Sequence, residues 1–185
     1  YIMWLKMSIN KINEYAIPYI KNFHTYIDVG AYKGDTCIPL LGKFKRIYAF
    51  EPNPETAKNI PNTIKVFDYA LGNKNDMVEL TIPNNGKNDY SQGSVSRFSE
   101  GVTSWLVEQT TLDSFNIDNV SFIKIDVEDY EFEILEGSVQ TLLRCKPVVM
   151  FDSKVEWQVR ESTNLLREIG YTLERFKEET VAHYD

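Results

Sequence analysis

Apolar positions along this chain gather into short, nearly continuous runs separated by polar turns. Thr25 to Val29, Arg46 to Phe50, Ile64 to Leu71, Val120 to Ile125 and Pro147 to Phe151 are runs of this kind. Such runs predict strands buried on both faces. Met77 to Ile82 alternates and predicts a half-exposed strand, and Trp105 to Thr110 predicts another. Elsewhere the spacing is helical. Residues 8–22 carry Ile9, Ile12, Tyr15, Ala16 and Ile20 on one stripe, an amphipathic helix that Pro18 bends or ends. Shorter helices are expected over Asp35–Leu41, stopped by Gly42, and for about two turns up to Ile60, before Pro61. Two more are expected over Tyr130–Leu143 and Ser162–Ile169, the latter stopped by Gly170. In the first of these, Phe132, Ile134, Leu135, Val139, Leu142 and Leu143 form the inward side. Leu112 to Phe115 reads as a turn or a single helical turn, and Tyr171–Phe176 with Thr180–Tyr184 as a closing strand pair. Strands alternating with helices predict an α/β fold, with a mostly parallel central sheet and helices on both faces.

Composition narrows the class. At 185 residues the chain is expected to form one domain, with a helical segment over about 1–22. Opening on Tyr1, it is read as a domain excised from a longer polypeptide. The formal net charge of −7 argues against a nucleic-acid partner. Cys37 and Cys145 are too far apart for a metal motif and read as buried free thiols, which fits a soluble protein of a reducing, cytoplasmic compartment. No apolar run approaches the roughly 20 residues that span a bilayer.

Four strands end in an acid: Asp28, Glu51, Asp126 and Asp152. In open α/β sheets ligands bind beyond the carboxyl ends of the strands. The first strand runs into a glycine turn, Asp28-Val29-Gly30-Ala31-Tyr32-Lys33-Gly34-Asp35, where Gly30 and Gly34 permit positive φ and the helix expected next offers free N–H groups to an anion. The turn lacks the close second glycine of the dinucleotide fingerprint and carries an acid that a pyrophosphate would repel. S-adenosylmethionine has no phosphate. Asp28 suits its amino or sulfonium group, Glu51 its ribose hydroxyls, and Asp68 its adenine amino group.

These residues, together with Ala49-Phe50-Glu51-Pro52-Asn53-Pro54, Ala70-Leu71-Gly72, Thr111-Leu112-Asp113-Ser114-Phe115, Ile123-Lys124-Ile125-Asp126-Val127-Glu128-Asp129-Tyr130-Glu131 and Leu135-Glu136-Gly137, resemble the FkbM family of S-adenosylmethionine-dependent methyltransferases. The likeness runs from about Tyr26 to Phe151. It implies a Rossmann-like class I methyltransferase sandwich with a C-terminal antiparallel strand, and O-methylation, often of sugars or other hydroxylated products. The cofactor would lie against Asp28, Gly30, Ala31, Tyr32, Gly34, Asp35 and Thr36, then Glu51, Pro52 and Asn53, then Asp68, Tyr69 and Ala70, and finally Asp126. Two departures stand out. The family usually has Gly where this chain has Asp129, so either the turn is relaxed or Asp129 caps the next helix. It often has Glu where this chain has Asp152.

A sugar hydroxyl is a poor nucleophile and needs a base or a metal. Asp126, Glu128 and Asp152 are the catalytic candidates. Asp126 and Asp152 are also candidate ligands for Mg²⁺ or Mn²⁺, and Glu128 and Glu131 alternatively pair with helix N–H groups. Lys124 reads equally as an edge residue reaching solvent or as a functional one. His24 and His183 are minor candidates for the base, and Lys154 for a substrate contact. The long loop over 83–101, with Tyr90-Ser91-Gln92-Gly93-Ser94-Val95-Ser96-Arg97, reads as an acceptor lid or a plain connector. The acceptor expected is a sugar or glycan, a deoxyhexose such as rhamnose among them, and fusion to glycosyltransferase modules is compatible with the family. The competing readings are a non-catalytic cofactor-binding module and an RNA methyltransferase; the acidic charge opposes the latter.

Overall fold

Strands buried on both faces must find neighbours on both edges, and five of the seven strands in the main sheet do. The computed structural model describes residues 9–83, 95 and 102–184. Its main sheet contains β1 (Thr25–Val29), β2 (Arg46–Phe50), β3 (Lys65–Phe67), β7 (Val120–Ile125), β8 (Val148–Asp152), β9 (Thr172–Phe176) and β10 (Glu179–His183). The order is β3-β2-β1-β7-β8-β10-β9. β3, β2, β1, β7 and β8 run parallel, and β10 lies antiparallel to both its neighbours. The chain builds outward from β1 to β3 and then restarts at β7 on the other side, so the order reverses between β1 and β7. That is where an open α/β sheet leaves a crevice.

Period-two alternation divides the interior into two cores. Ile27, Val29, Ile123, Ile125, Val149 and Phe151 face one side with Ile134, Leu135, Leu142 and Leu166, while Tyr26, Ala49, Phe122, Val148, Met150 and Val181 face the other with Ile12, Ala16 and Ile20. The first side is covered by α2 (Glu131–Glu136), α3 (Val139–Cys145) and α4 (Glu156–Glu168). The N-terminal segment that covers the second side is helical but uneven: a wide π turn over Ile12–Ala16 passes into a 3₁₀ turn over Ile17–Tyr19, with Pro18 in it. It is tied down by Tyr15 stacked on Phe176, Tyr19 stacked on His183, and Lys11 paired with Glu179 at 2.7 Å.

Several elements differ from the sequence expectation. The helix expected over Asp35–Leu41 is a series of turns ending in a 3₁₀ turn at Ile38–Leu40, with Pro39 supplying no N–H. The helix after β2 is α1 (Pro54–Ala57), a single turn whose entry is capped by the Asn53 side chain accepting from the Glu55 N–H at 2.9 Å. The strand expected over Ile64–Leu71 divides: β3 pairs with β2, whereas β4 (Ala70–Leu71) joins β5 (Asp76–Pro83) and β6 (Val102–Thr110) in a second sheet ordered β4-β6-β5. The helix expected over Tyr130–Leu143 breaks at Gly137 and Ser138. Asp113 causes the restart, since its carboxylate accepts from the Gln140 and Thr141 N–H groups at 2.9 and 2.7 Å. The break leaves Leu143 exposed rather than inward. α4 is longer than expected and starts at Glu156.

Gly137, at the break after α2, packs directly against the turn that follows β4. A Cβ there would lie 1.9 Å from the Gly72 carbonyl oxygen, backbone against backbone. Gly137→Ala should therefore destabilise the protein by about 2–3 kcal/mol, read from the urea midpoint of unfolding.

Candidate functional site

At the carboxyl ends of β1 and β7 the backbones close on each other. The Asp126 N–H donates to Val29 O at 3.1 Å, and the Gly30 and Ala31 N–H groups reach Phe50 O at 3.0 and 3.2 Å. A Cβ on Gly30, whose φ is +76°, would stand 2.1 Å from the Asp126 carbonyl oxygen. Only glycine allows this approach. Above it opens a cavity with about 640 Å³ of free space, the open solvent at its mouth included. Its walls are Gly30 and Tyr32 after β1, Glu51, Pro52 and Asn53 after β2, Tyr69 and Ala70 entering the small sheet, and Asp126 to Glu128 after β7.

Glu51 is the main acid of that wall. It is buried, and its two oxygens accept from the Tyr32 N–H at 2.7 Å and the Asn53 N–H at 2.9 Å, joining the turns after β1 and β2. Burial pushes its carboxyl up to about 7, against the pull of these hydrogen bonds. Asn53, 2% exposed, spends its Oδ1 on the helix cap and leaves Nδ2 with no partner. An orphaned donor beside a buried acid on a cavity wall fits a ligand with vicinal hydroxyls, each able to accept and donate.

Asp126 and Glu128 also line a smaller cleft with Asp129, Asp152 and Lys154. Asp126 and Asp152 each stand one residue beyond the paired Ile125 and Phe151, so parallel register sets them side by side. Their surroundings differ. Lys124 Nζ lies 2.9 Å from Asp126 Oδ2. Burial pushes the Asp126 carboxyl up, but the Lys124 ammonium more than offsets this and holds it below the usual value. Glu128 faces Lys154 at 3.8 Å. Asp152 Oδ1 is buried without a hydrogen bond, and burial, with Glu179 and Asp126 nearby, raises its carboxyl to about 6.

Not every expected residue joins the cavity. Strand alternation sends Val29 to the cavity side and Asp28 to the opposite face, where the fully buried Asp28 accepts from Thr36 Oγ1 and from Cys37 Sγ at 3.1 Å and faces Lys124 at 3.9 Å. Thr36 is thus tied to Asp28, and Ala31, Gly34 and Asp35 belong to the turn rather than to the lining. Asp68 is exposed in the link between β3 and β4 and is not part of the wall, unlike its neighbours Tyr69 and Ala70. Lys124 is no edge residue: it is 7% exposed on a central strand. Asp129 keeps the left-handed conformation at φ +75°, following Glu128 at +58°, and α2 is capped from position 130 without a side-chain bond, so neither a relaxed turn nor an Asp129 cap is formed. His24 and His183 line neither the cavity nor the cleft. The Mg²⁺ or Mn²⁺ reading does not fit. Asp126 already holds an ammonium, Lys154 occupies the same cleft, and among the described residues no group of three or more His, Cys, Asp or Glu is arranged to hold a metal.

Sequence reasoning missed part of the lining. Val127 and Tyr130 lay inside a motif already singled out and Val95 inside the loop read as a lid, but Leu80 comes from the small sheet and no local pattern points to it. The lid reading of 90–97 otherwise lies outside the described residues, which hold no helix long and apolar enough to cross a membrane.

A family model for the methyltransferase FkbM domain matches residues 28–174. Among solved structures, an FkbM methyltransferase from Methylobacillus flagellatus KT aligns at 18% identity and a TM-score of 0.65, over 92% of this chain and 46% of that one. The chain thus spans just under half of that structure's length. A precorrin-6y C5,15-methyltransferase from Geobacter metallireducens GS-15 aligns at 12% identity and a TM-score of 0.54, over 98% of this chain and 87% of that one. A precorrin-8w decarboxylase from Methanobacterium thermoautotrophicum aligns at 12% identity and the same TM-score of 0.54, over 97% and 90% of the two chains. At these identities the structural likenesses speak for the fold. No match was found among curated proteins.

The buried acids generate a pH prediction. Glu131 is fully buried with one oxygen unpartnered, and burial together with the charge of Asp126 raises its carboxyl to about 8. With Glu51 near 7 and Asp152 near 6, the native state binds protons more tightly than the unfolded chain does. Their stabilising contribution is complete below the unfolded carboxylate values and is lost as pH rises through 6 to 8. The melting temperature should fall as pH rises from about 4 to about 8 and level off above that. Glu131→Gln should flatten most of that fall, as followed by scanning calorimetry.

Proposed function

We propose a methyl-transfer reaction from one premise: the chain belongs to the FkbM methyltransferase family. The donor is S-adenosylmethionine and the acceptor is a hydroxyl oxygen of a sugar or glycan, a deoxyhexose among the candidates. The observation that carries this reading is the junction at Asp126 and Glu128, where a cavity walled by Glu51 and Asn53 meets a separate cleft holding Asp152.

When bound, S-adenosylmethionine supplies an already activated methyl group. Glu51 and the free Asn53 Nδ2 are placed for ribose hydroxyls, and the side-chain-free edge of Gly30 for the methionine end. Phe50, Leu71 and Ile134 give the cavity an apolar wall. In the cleft, three of the four carboxylates divide the work. Asp126, ionised by its Lys124 partner, accepts a hydrogen bond from an acceptor hydroxyl and orients it. Glu128, facing Lys154, lines the side. Asp152 has no cation within ion-pair distance among the described residues and is the carboxylate placed to receive the proton that leaves as the oxygen gains its methyl group. With its carboxyl near 6 it is mostly ionised at pH 7 and still basic enough for that role.

Two measurements test this. Glu51→Ala should weaken S-adenosylmethionine binding at least about 100-fold in calorimetry, the loss of two hydrogen bonds to a charged group; unchanged affinity would sink the cofactor assignment. In a methyl-transfer assay against a panel of neutral glycans and deoxyhexosides, Asp152→Asn should lower turnover about 100-fold or more with little change in cofactor binding. Cofactor binding with no acceptor methylated would instead point to a non-catalytic binding module.

A further inference from the structure

A lysine buried on a central strand has to be explained by the charges around it. Lys124 pairs in register with Asp28 on β1 and Met150 on β8, and its side chain lies on the same sheet face as both. Its ammonium sits 2.9 Å from Asp126 Oδ2 and 3.9 Å from Asp28 Oδ1. Asp28 is fully buried, and that Oδ1 accepts no hydrogen bond. The two carboxylates differ in access: Asp126, whose side chain is 32% exposed, lines both the cavity and the cleft, whereas Asp28 lines neither. Lys124 therefore stands directly behind Asp126, one of the two carboxylates, with Glu128, that line both compartments. Burial alone would lower its proton affinity, but the charges of Asp126 and Asp28 raise it well above the ordinary value, so the cation is permanent.

This matters for a cationic cofactor. A sulfonium donor and its uncharged thioether product differ by one positive charge at sulfur. A site of bare carboxylates would favour the charged ground state, and interactions that hold the ground state as firmly as the transition state add nothing to the rate. We propose that Lys124 is a positioning residue of the cofactor site: by pairing with Asp126 at the junction of cavity and cleft, it limits how strongly the site prefers the sulfonium donor over the thioether product. The inference rests on the cofactor assignment above and assigns a balance of charge, not a contact with either ligand.

The test needs no methyl acceptor. The dissociation constants of S-adenosylmethionine and S-adenosylhomocysteine are measured by calorimetry for wild type, Lys124→Met, Lys124→Arg, Asp126→Asn and the Lys124→Met/Asp126→Asn double variant, each confirmed folded by circular dichroism. Removing one unit charge close to a ligand in a partly buried site should shift the ratio of the two constants roughly tenfold. Lys124→Met should move it toward the sulfonium compound. Asp126→Asn should move it toward the thioether. Lys124→Arg and the double variant, which restore the charge balance, should stay within about threefold of wild type. Loss of stability alone weakens both ligands together and leaves the ratio where it was. If Lys124→Met does not fold, the Asp126→Asn and double variants carry the comparison. A ratio within twofold of wild type in every folded single variant overturns the inference and leaves the cofactor assignment standing. Wild type that binds neither compound overturns both.

Discussion

The structure depends on how closely β1 and β7 approach at their carboxyl ends. Where Gly30 leaves β1, any side chain would collide with the Asp126 carbonyl at 2.1 Å. With hydrogen alone there, the Asp126 N–H reaches Val29 O and the two strands keep their spacing to the last residue. The cavity floor, the turn that hands Tyr32 to Glu51, and the position of Asp126 all follow from that contact. A larger residue would displace Asp126, which lines both compartments.

Charge is distributed around that contact by necessity. Parallel strands end together, so acids that end strands are brought together too. Left alone, Asp28, Asp126, Asp152 and Glu179 would repel one another in a partly buried row. Lys124 takes the first two, and Lys11, carried over by the N-terminal segment, takes Glu179. Asp152 is the member with no cation within ion-pair distance among the described residues, and burial raises its carboxyl. The same burial that makes Glu51, Glu131 and Asp152 tenacious of their protons makes the native state less stable in base.

Much of this was legible in the chain. β1 and β2 lie where the apolar runs put them, because a strand buried on both faces leaves an unbroken apolar record. Glu51, Pro52, Asn53, Tyr69, Ala70 and Asp126 line the cavity as their place after strand ends suggested. The misplaced residues share a cause. Asp28 sits one position before Val29, and a step of one residue along a strand changes faces. Asp68 was placed by treating Ile64–Leu71 as one strand, when a change of sheet at Asp68 and Tyr69 divides it.

The sequence by itself determined the strand runs, the glycine turn and the acids at strand ends, because backbone sterics and local burial act over a few residues. It also carried the family likeness that the FkbM domain match over residues 28–174 bears out. Only the tertiary structure decided which face each acid meets, which carboxylate Lys124 neutralises and which has no cation within ion-pair distance among the described residues. It also decided that Asp113 restarts a helix 27 residues away. Those outcomes depend on register between strands distant in the chain, and pairing register is a property of the sheet rather than of any one strand.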